Sequence, residues 1–135
     1  MVQVNGKDIE ARTANGHIII PRKALRAGEN SVSLSFVPET KPLNRRDDYL
    51  YSLLVPDRAR TLFPCMDQPG LKARYSLSLN VPQEWTAVSN TFIADSASLG
   101  EGRKMLAFAE TEPLSTYLFS FVAGQFKRAE YKGNH

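Results

Sequence analysis

Few side chains in this 135-residue chain could do chemistry, and they stand far apart. Its two histidines, His17 and His135, lie near opposite ends, and its one cysteine, Cys65, has no histidine near it in sequence. A thiol attacks only as thiolate, which needs a neighbouring base or cation. Cys65 therefore reads as a small buried side chain. Two distant histidines and one thiol do not make a tetrahedral zinc site, so no metal or other cofactor is expected in this chain. Asp67 sits between Pro64 and Pro69, where a carboxylate could act as acid or base, but no second acid or histidine accompanies it. Its expected role is to accept backbone N–H bonds of its own turn, or to pair with Arg60. Trp85 could stack on a sugar, yet one indole alone makes a weak carbohydrate site; it is expected to cap a sheet edge. Arg58, Arg60, Lys72 and Arg74 form the densest basic group and read as charges around a buried turn, paired with Asp57 and Asp67.

The elements that must position these residues are strands. Phe63 to Gly70 makes a turn in which Pro64 and Pro69 fix φ and remove donors, and Phe63, Cys65 and Met66 predict that it packs inward. Tyr75, Leu77, Leu79 and Val81 then alternate with Ser76, Ser78 and Asn80, the period of a half-buried strand. A second short strand is expected over Thr86–Asn90. Val2 and Val4 lead to Asn5-Gly6, and Asn15-Gly16 precedes His17 to Ile20; Asn-Gly is a strong hairpin signal because both residues tolerate positive φ. Lys23 to Arg26 predicts one helical turn, and Val32, Leu34 and Phe36 another alternating strand. Pro38 to Asp48 reads as a loop, Tyr49 to Leu54 as a strand and Asp57 to Leu62 as a lead into the turn. Asp95 to Gly102 reads as a loop and Lys104 to Ala109 as a strand. Tyr117 to Ala123, apolar on both faces, reads as a central strand. With no segment holding helical periodicity, the expected fold is all-β, a sandwich or saddle-like pair of mainly antiparallel sheets.

Length and composition fit a single β domain over residues 1–135. A hydrophobic fraction of 42% and a charged fraction of 23% are ordinary for a globular chain. The net charge of +3 comes from scattered residues, which argues against nucleic acid as a partner. No apolar run is long enough to span a membrane as a helix, and the first residues lack the basic start and apolar stretch of a signal peptide. The chain is expected to be soluble, with any signal peptide outside it. One cysteine excludes an internal disulfide.

The order Phe63-Pro64-Cys65-x-Asp67-x-Pro69, followed by Lys72-Ala73-x-Tyr75-x-Leu77-x-Leu79-x-Val81-Pro82-x-x-Trp85-x-Ala87-Val88-Ser89-Asn90, resembles the amino-terminal domain of the aminopeptidase N family of zinc metallopeptidases. Ala27 to Phe36, with Gly28-Glu29-Asn30, and Pro113 to Phe126 resemble two further segments of that domain. The resemblance implies a domain that packs on its own catalytic domain, closes one side of the active-site chamber and helps restrict peptide substrates of the parent. Zinc would belong to the parent's catalytic domain. The family's His-Glu-x-x-His and Gly-x-Met-Glu-Asn motifs do not occur here, so this chain is expected to lack the family chemistry alone. The resemblance also implies a polar pair, Thr-Gln-x-Glu or Thr-Gln-x-Gln, before the turn, whose last residue meets the substrate's α-amine. Leu53 and Val55 occupy those polar positions and are weak candidates for lining the pocket. The domain would be truncated and its catalytic domain absent, and self-association through unpaired edges or apolar faces is expected. The alternative reading is a free-standing β-sandwich binding or adhesion module.

Overall fold

Two Asn-Gly turns shape the beginning of the chain. The computed structural model describes residues 1–39, 41–127 and 129, and divides into two units, Met1–Val37 and Pro38–His135. In the first unit, β1 (Val2–Val4) turns through Asn5 (φ 53°) and Gly6 (φ 76°) into β2 (Lys7–Asp8). The strands β3 (Arg12–Ala14) and β4 (His17–Ile19) form a separate hairpin through Asn15 and Gly16, with φ of 51° and 74°. Positive φ at both turn positions gives the turn the twist of its flanking strands. The predicted helical turn is a 3₁₀ turn over Arg22–Ala24, after which β5 (Val32–Leu34) joins β1, giving the order β2-β1-β5. Val4 is the buried centre of this sheet and lies opposite Val32.

The second unit contains β6 (Leu43–Arg45), β7 (Tyr49–Ser52), a single helical turn α1 (Ala59–Leu62) and β8 (Lys72–Ala73). It continues through β9 (Ser78–Pro82), β10 (Thr86–Ser89), β11 (Ile93–Gly100) and β12 (Arg103–Phe108) to β13 (Leu114–Ser115) and β14 (Phe121–Gly124). One sheet runs β10-β14-β7-β6, another β11-β12-β9, and β13 pairs with β8. Every pairing among the described residues is antiparallel, in line with the expected all-β fold of mainly antiparallel sheets.

The two larger sheets share a core. Ala87 and Ala123 from one meet Val81, Leu106 and Phe108 from the other, with Trp85 buried among them. Trp85 therefore fills the sandwich instead of capping its edge: an indole buries more apolar area between two sheets than at their rim. Leu77 belongs to this cluster and to a second one, in which Leu54, Ala59, Leu62 and Phe119 pack with Phe63, Cys65 and Tyr75. Leu54 is almost wholly enclosed, worth about 1.5–3 kcal/mol of burial.

Three local expectations fail for physical reasons. The segment expected to loop from Asp95 to Gly102 is mostly the long strand β11, exposed along its whole length. With neither face buried it needs no apolar alternation, and pairing with β12 holds it extended. The loop expected over Pro38 to Asp48 contains β6, held by β7. The expected strand from Tyr117 to Ala123 is interrupted: Thr116–Leu118 is a 3₁₀ turn, Leu118 is 51% exposed, and β14 begins only at Phe121. Asn90 imposes this break, its amide donating to Leu118 O (3.0 Å) and its Oδ1 accepting from Ser120 N–H (2.9 Å).

Candidate functional site

The turn after α1 is tied together by one carboxylate. Asp67 Oδ2 accepts the backbone N–H of Arg60 at 3.1 Å, and Oδ1 accepts the Thr116 hydroxyl at 2.7 Å. Arg60 N–H lies in the first turn of α1, where no residue of the helix stands four positions earlier to receive it, so the carboxylate supplies a missing acceptor. Ser115 Oγ adds a bond to Pro69 O at 2.7 Å, and β8 pairs with β13 just beyond. Three bonds thus fasten Asp67 and Pro69 of the 63–70 segment to α1 and to residues 115–116. The expectation of N–H bonds inside the turn is replaced by bonds that reach out of it, and the Arg60 partner is its backbone N–H. Its guanidinium pairs with Asp57 at 3.1 Å, and that of Arg74 with Glu112 at 3.2 Å and Glu110 at 3.9 Å. These exposed pairs are worth at most about 1 kcal/mol each.

The inward side of the turn is aromatic. Tyr75 stacks on Phe119 at 4.5 Å between ring centroids, and Phe63 meets Phe119 edge-on at 5.8 Å. Cys65 packs against this cluster. Burial first, and then the negative charge of Asp67, push its thiol from the ordinary 9.0 up to about 11, against the opposing pull of Arg60. At neutral pH it is a thiol and a poor nucleophile. Burial, with Cys65 and Asp67 nearby, also raises Tyr75. The turn does not pack inward throughout: Pro64 and Cys65 are half-buried, but Met66 is 76% exposed and Pro69 is exposed. The backbone direction set by the Asp67 bonds carries Met66 outward, whatever its hydrophobicity.

Leu53 and Val55 alternate with buried Ser52 and Leu54, and both face outward, 45% and 51% exposed. Leu53 N–H is held by Pro42 O at 2.8 Å. Ser52 Oγ both donates to Phe121 O and accepts from Phe121 N–H, which ties the start of this segment to β14. A concavity of about 280 Å³ lies elsewhere, lined by Asn44, Arg45, Arg46, Tyr49 and Tyr51. Among the described residues no three or more His, Cys, Asp or Glu side chains stand close enough to hold a metal ion. His135 lies outside the described residues. His17 is exposed, its ring bonded to Asn15 O at 2.8 Å.

Sequence reasoning missed the hydroxyls that complete the site. Thr116 and Ser115 fasten the turn, and Thr111 Oγ1 accepts Tyr75 N–H at 3.0 Å. All three are buried, as Ser52 is. Ser52, Ser115 and Thr116 carried a signal as small polar residues among apolar neighbours, where a hydroxyl needs a partner; Thr111, between Glu110 and Glu112, carried none.

The profile of the peptidase M1 N-terminal domain matches residues 40–118, which include this entire turn and its Thr116 anchor, and the chain belongs to that family. It is 40% identical over 72 residues to aminopeptidase N of Acetobacter pasteurianus, covering 53% of this chain and 20% of that protein. It is 41% identical over 71 residues to glutamyl aminopeptidase of Rattus norvegicus, covering 53% of this chain and 8% of that protein. The chain thus spans a fifth or less of the length of these curated relatives. The M1 zinc metallopeptidase from Deinococcus radiodurans shares the fold, with a TM-score of 0.71 at 24% identity over 91% of this chain and 31% of that one. No helix among the described residues is long and apolar enough to cross a membrane.

Proposed function

We propose that this domain serves a zinc aminopeptidase by packing on its catalytic domain and forming one wall of the chamber that receives peptide amino termini. Zinc and the water it activates would belong to that catalytic domain. The observation that carries the reading is the family match over the segment built around Asp67. A wall must hold its shape to exclude water and wrong substrates, and the bonds of Asp67, Ser115 and Ser52 do that for residues 52–70. Leu53 and Val55, exposed and apolar, are the positions proposed to face the substrate. Without a carboxylate at Val55, the amine contact must come from the catalytic domain or be absent, a difference of about 1.5–3 kcal/mol in substrate binding.

The test is steady-state kinetics of the polypeptide that joins this domain to its catalytic domain. Val55→Glu should shift KM for free-amino-terminus peptides about tenfold or more, while an amino-terminally blocked peptide stays unused. An unchanged KM in a folded variant would remove Val55 from the chamber wall. The domain by itself is proposed to self-associate, because β11 presents eight exposed residues on a sheet edge and Val88 and Phe92 are 61% and 73% exposed. Sedimentation across a dilution series should show mass rising with concentration, and a monomer at every concentration would refute this.

A further inference from the structure

The two Asn-Gly turns share a backbone shape but differ in how their asparagines are held. Asn5 is restrained on both sides of its amide: Nδ2 donates to Asn30 Oδ1 at 2.9 Å, and Oδ1 accepts Ser31 N–H at 3.1 Å. Its own N–H donates to Ser31 O at 2.8 Å, and Asn30 is fixed in turn by bonds to Arg26 and Gly28. The turn belongs to a three-stranded sheet. Asn15 is exposed, and among the described residues its side-chain amide makes no hydrogen bond. Its hairpin, β3 with β4, is a two-stranded sheet of three-residue strands, a unit with little stability of its own.

Asn15 carries one further feature. Its carbonyl oxygen bonds His17 Nδ1 at 2.8 Å. A carbonyl can only accept, so Nδ1 bears the proton and the imidazole donates. That carbonyl belongs to the Asn15–Gly16 peptide. Withdrawing electron density through its oxygen makes the Gly16 N–H more acidic, and the deprotonated Gly16 nitrogen is the nucleophile that attacks an asparagine side chain.

We propose that Asn15 is a self-modification site that deamidates through a cyclic imide, and that Asn5 is protected from the same reaction. The Gly16 nitrogen loses its proton and bonds to Asn15 Cγ. The Cγ–Nδ2 bond breaks, and the nitrogen leaves as ammonia after taking up a proton. Water then opens the imide to aspartate or to isoaspartate. Both products put a carboxylate at the hairpin tip, and isoaspartate adds a backbone atom that a two-residue turn cannot absorb, so the Ala14–His17 pairing opens. Attack requires leaving the positive-φ turn in both hairpins; only Asn5 must also break its side-chain bonds and leave a larger sheet.

The experiment is peptide mapping of the folded 135-residue chain aged in neutral buffer. Tryptic peptides 1–7 and 13–22 separate the two sites. Peptide 13–22 should gain the mass of amide-to-acid conversion about tenfold faster or more than peptide 1–7, since each bond that must open lowers the reactive population. In denaturant the two rates should converge. Asn30→Ala should speed peptide 1–7, and His17→Phe, which suits a strand, should slow peptide 13–22 several-fold. Equal rates in the folded chain, or faster conversion of peptide 1–7, would overturn the proposal. An unchanged 13–22 rate in the folded His17→Phe chain would overturn the part given to the imidazole.

Discussion

Replacing Asp67 by alanine tests whether the 63–70 turn is organised by its carboxylate. The side chain makes two bonds, to the Arg60 N–H at 3.1 Å and to the Thr116 hydroxyl at 2.7 Å. Arg60 is exposed, so water replaces much of what its N–H loses. Thr116 is only 4% exposed, so its hydroxyl is left with little solvent to bond. The loss is therefore dominated by Thr116 and should come to about 1–3 kcal/mol. Urea unfolding should show a lower midpoint at unchanged slope, since the surface exposed on unfolding is the same. Thr116→Val supplies the control, because it removes the hydroxyl along with the need for an acceptor. In a double-mutant cycle, Asp67→Ala should cost measurably less in the Thr116→Val background, with a coupling of about 0.5 kcal/mol or more. An Asp67→Ala chain within about 0.5 kcal/mol of the parent, the range of ordinary surface substitutions, would refute the reasoning.

Cys65 should titrate late. With its thiol raised from 9.0 to about 11, the folded chain holds a proton that the unfolded chain has released, so stability is fully present below pH 9.0 and is lost as pH climbs toward about 11. Unfolding midpoints measured across that interval should decline less steeply in Cys65→Ala, and at neutral pH the native thiol should react with a disulfide reagent far more slowly than in denaturant. Gly124 has no room for a side chain: a Cβ there would stand 2.6 Å from Tyr49 Cβ and 2.7 Å from Asp48 O. Gly124→Ala should cost about 1–3 kcal/mol by forcing β14 away from β7, and an unchanged urea midpoint would show that the pair yields without strain. The domain alone should not hydrolyse alanyl or leucyl chromogenic amides; chelator-sensitive hydrolysis above the blank would contradict this.

Much of the fold was legible in the chain itself. Tyr75 to Val81 alternates in burial as its apolar period requires, and both Asn-Gly pairs turn their hairpins, since these are local consequences of side-chain direction and allowed φ. Other features were decided by partners distant in sequence. β11 has no apolar period to read because it buries neither face and exists by pairing with β12. Tyr117 to Ala123 has a strand's composition, yet it breaks because Asn90 and Asp67 hold polar groups of residues 116–120. Met66 and Trp85 exchange their expected places for a related reason: hydrophobicity states a preference for burial, but backbone direction decides which side chain meets the core. The bond from Asp67 to Thr116 spans 49 positions and rests on a hydroxyl that local sequence does not distinguish from any other. A carboxylate in a proline-bounded turn was visible in the chain; its acceptor duty became definite only when the fold brought two donors to it.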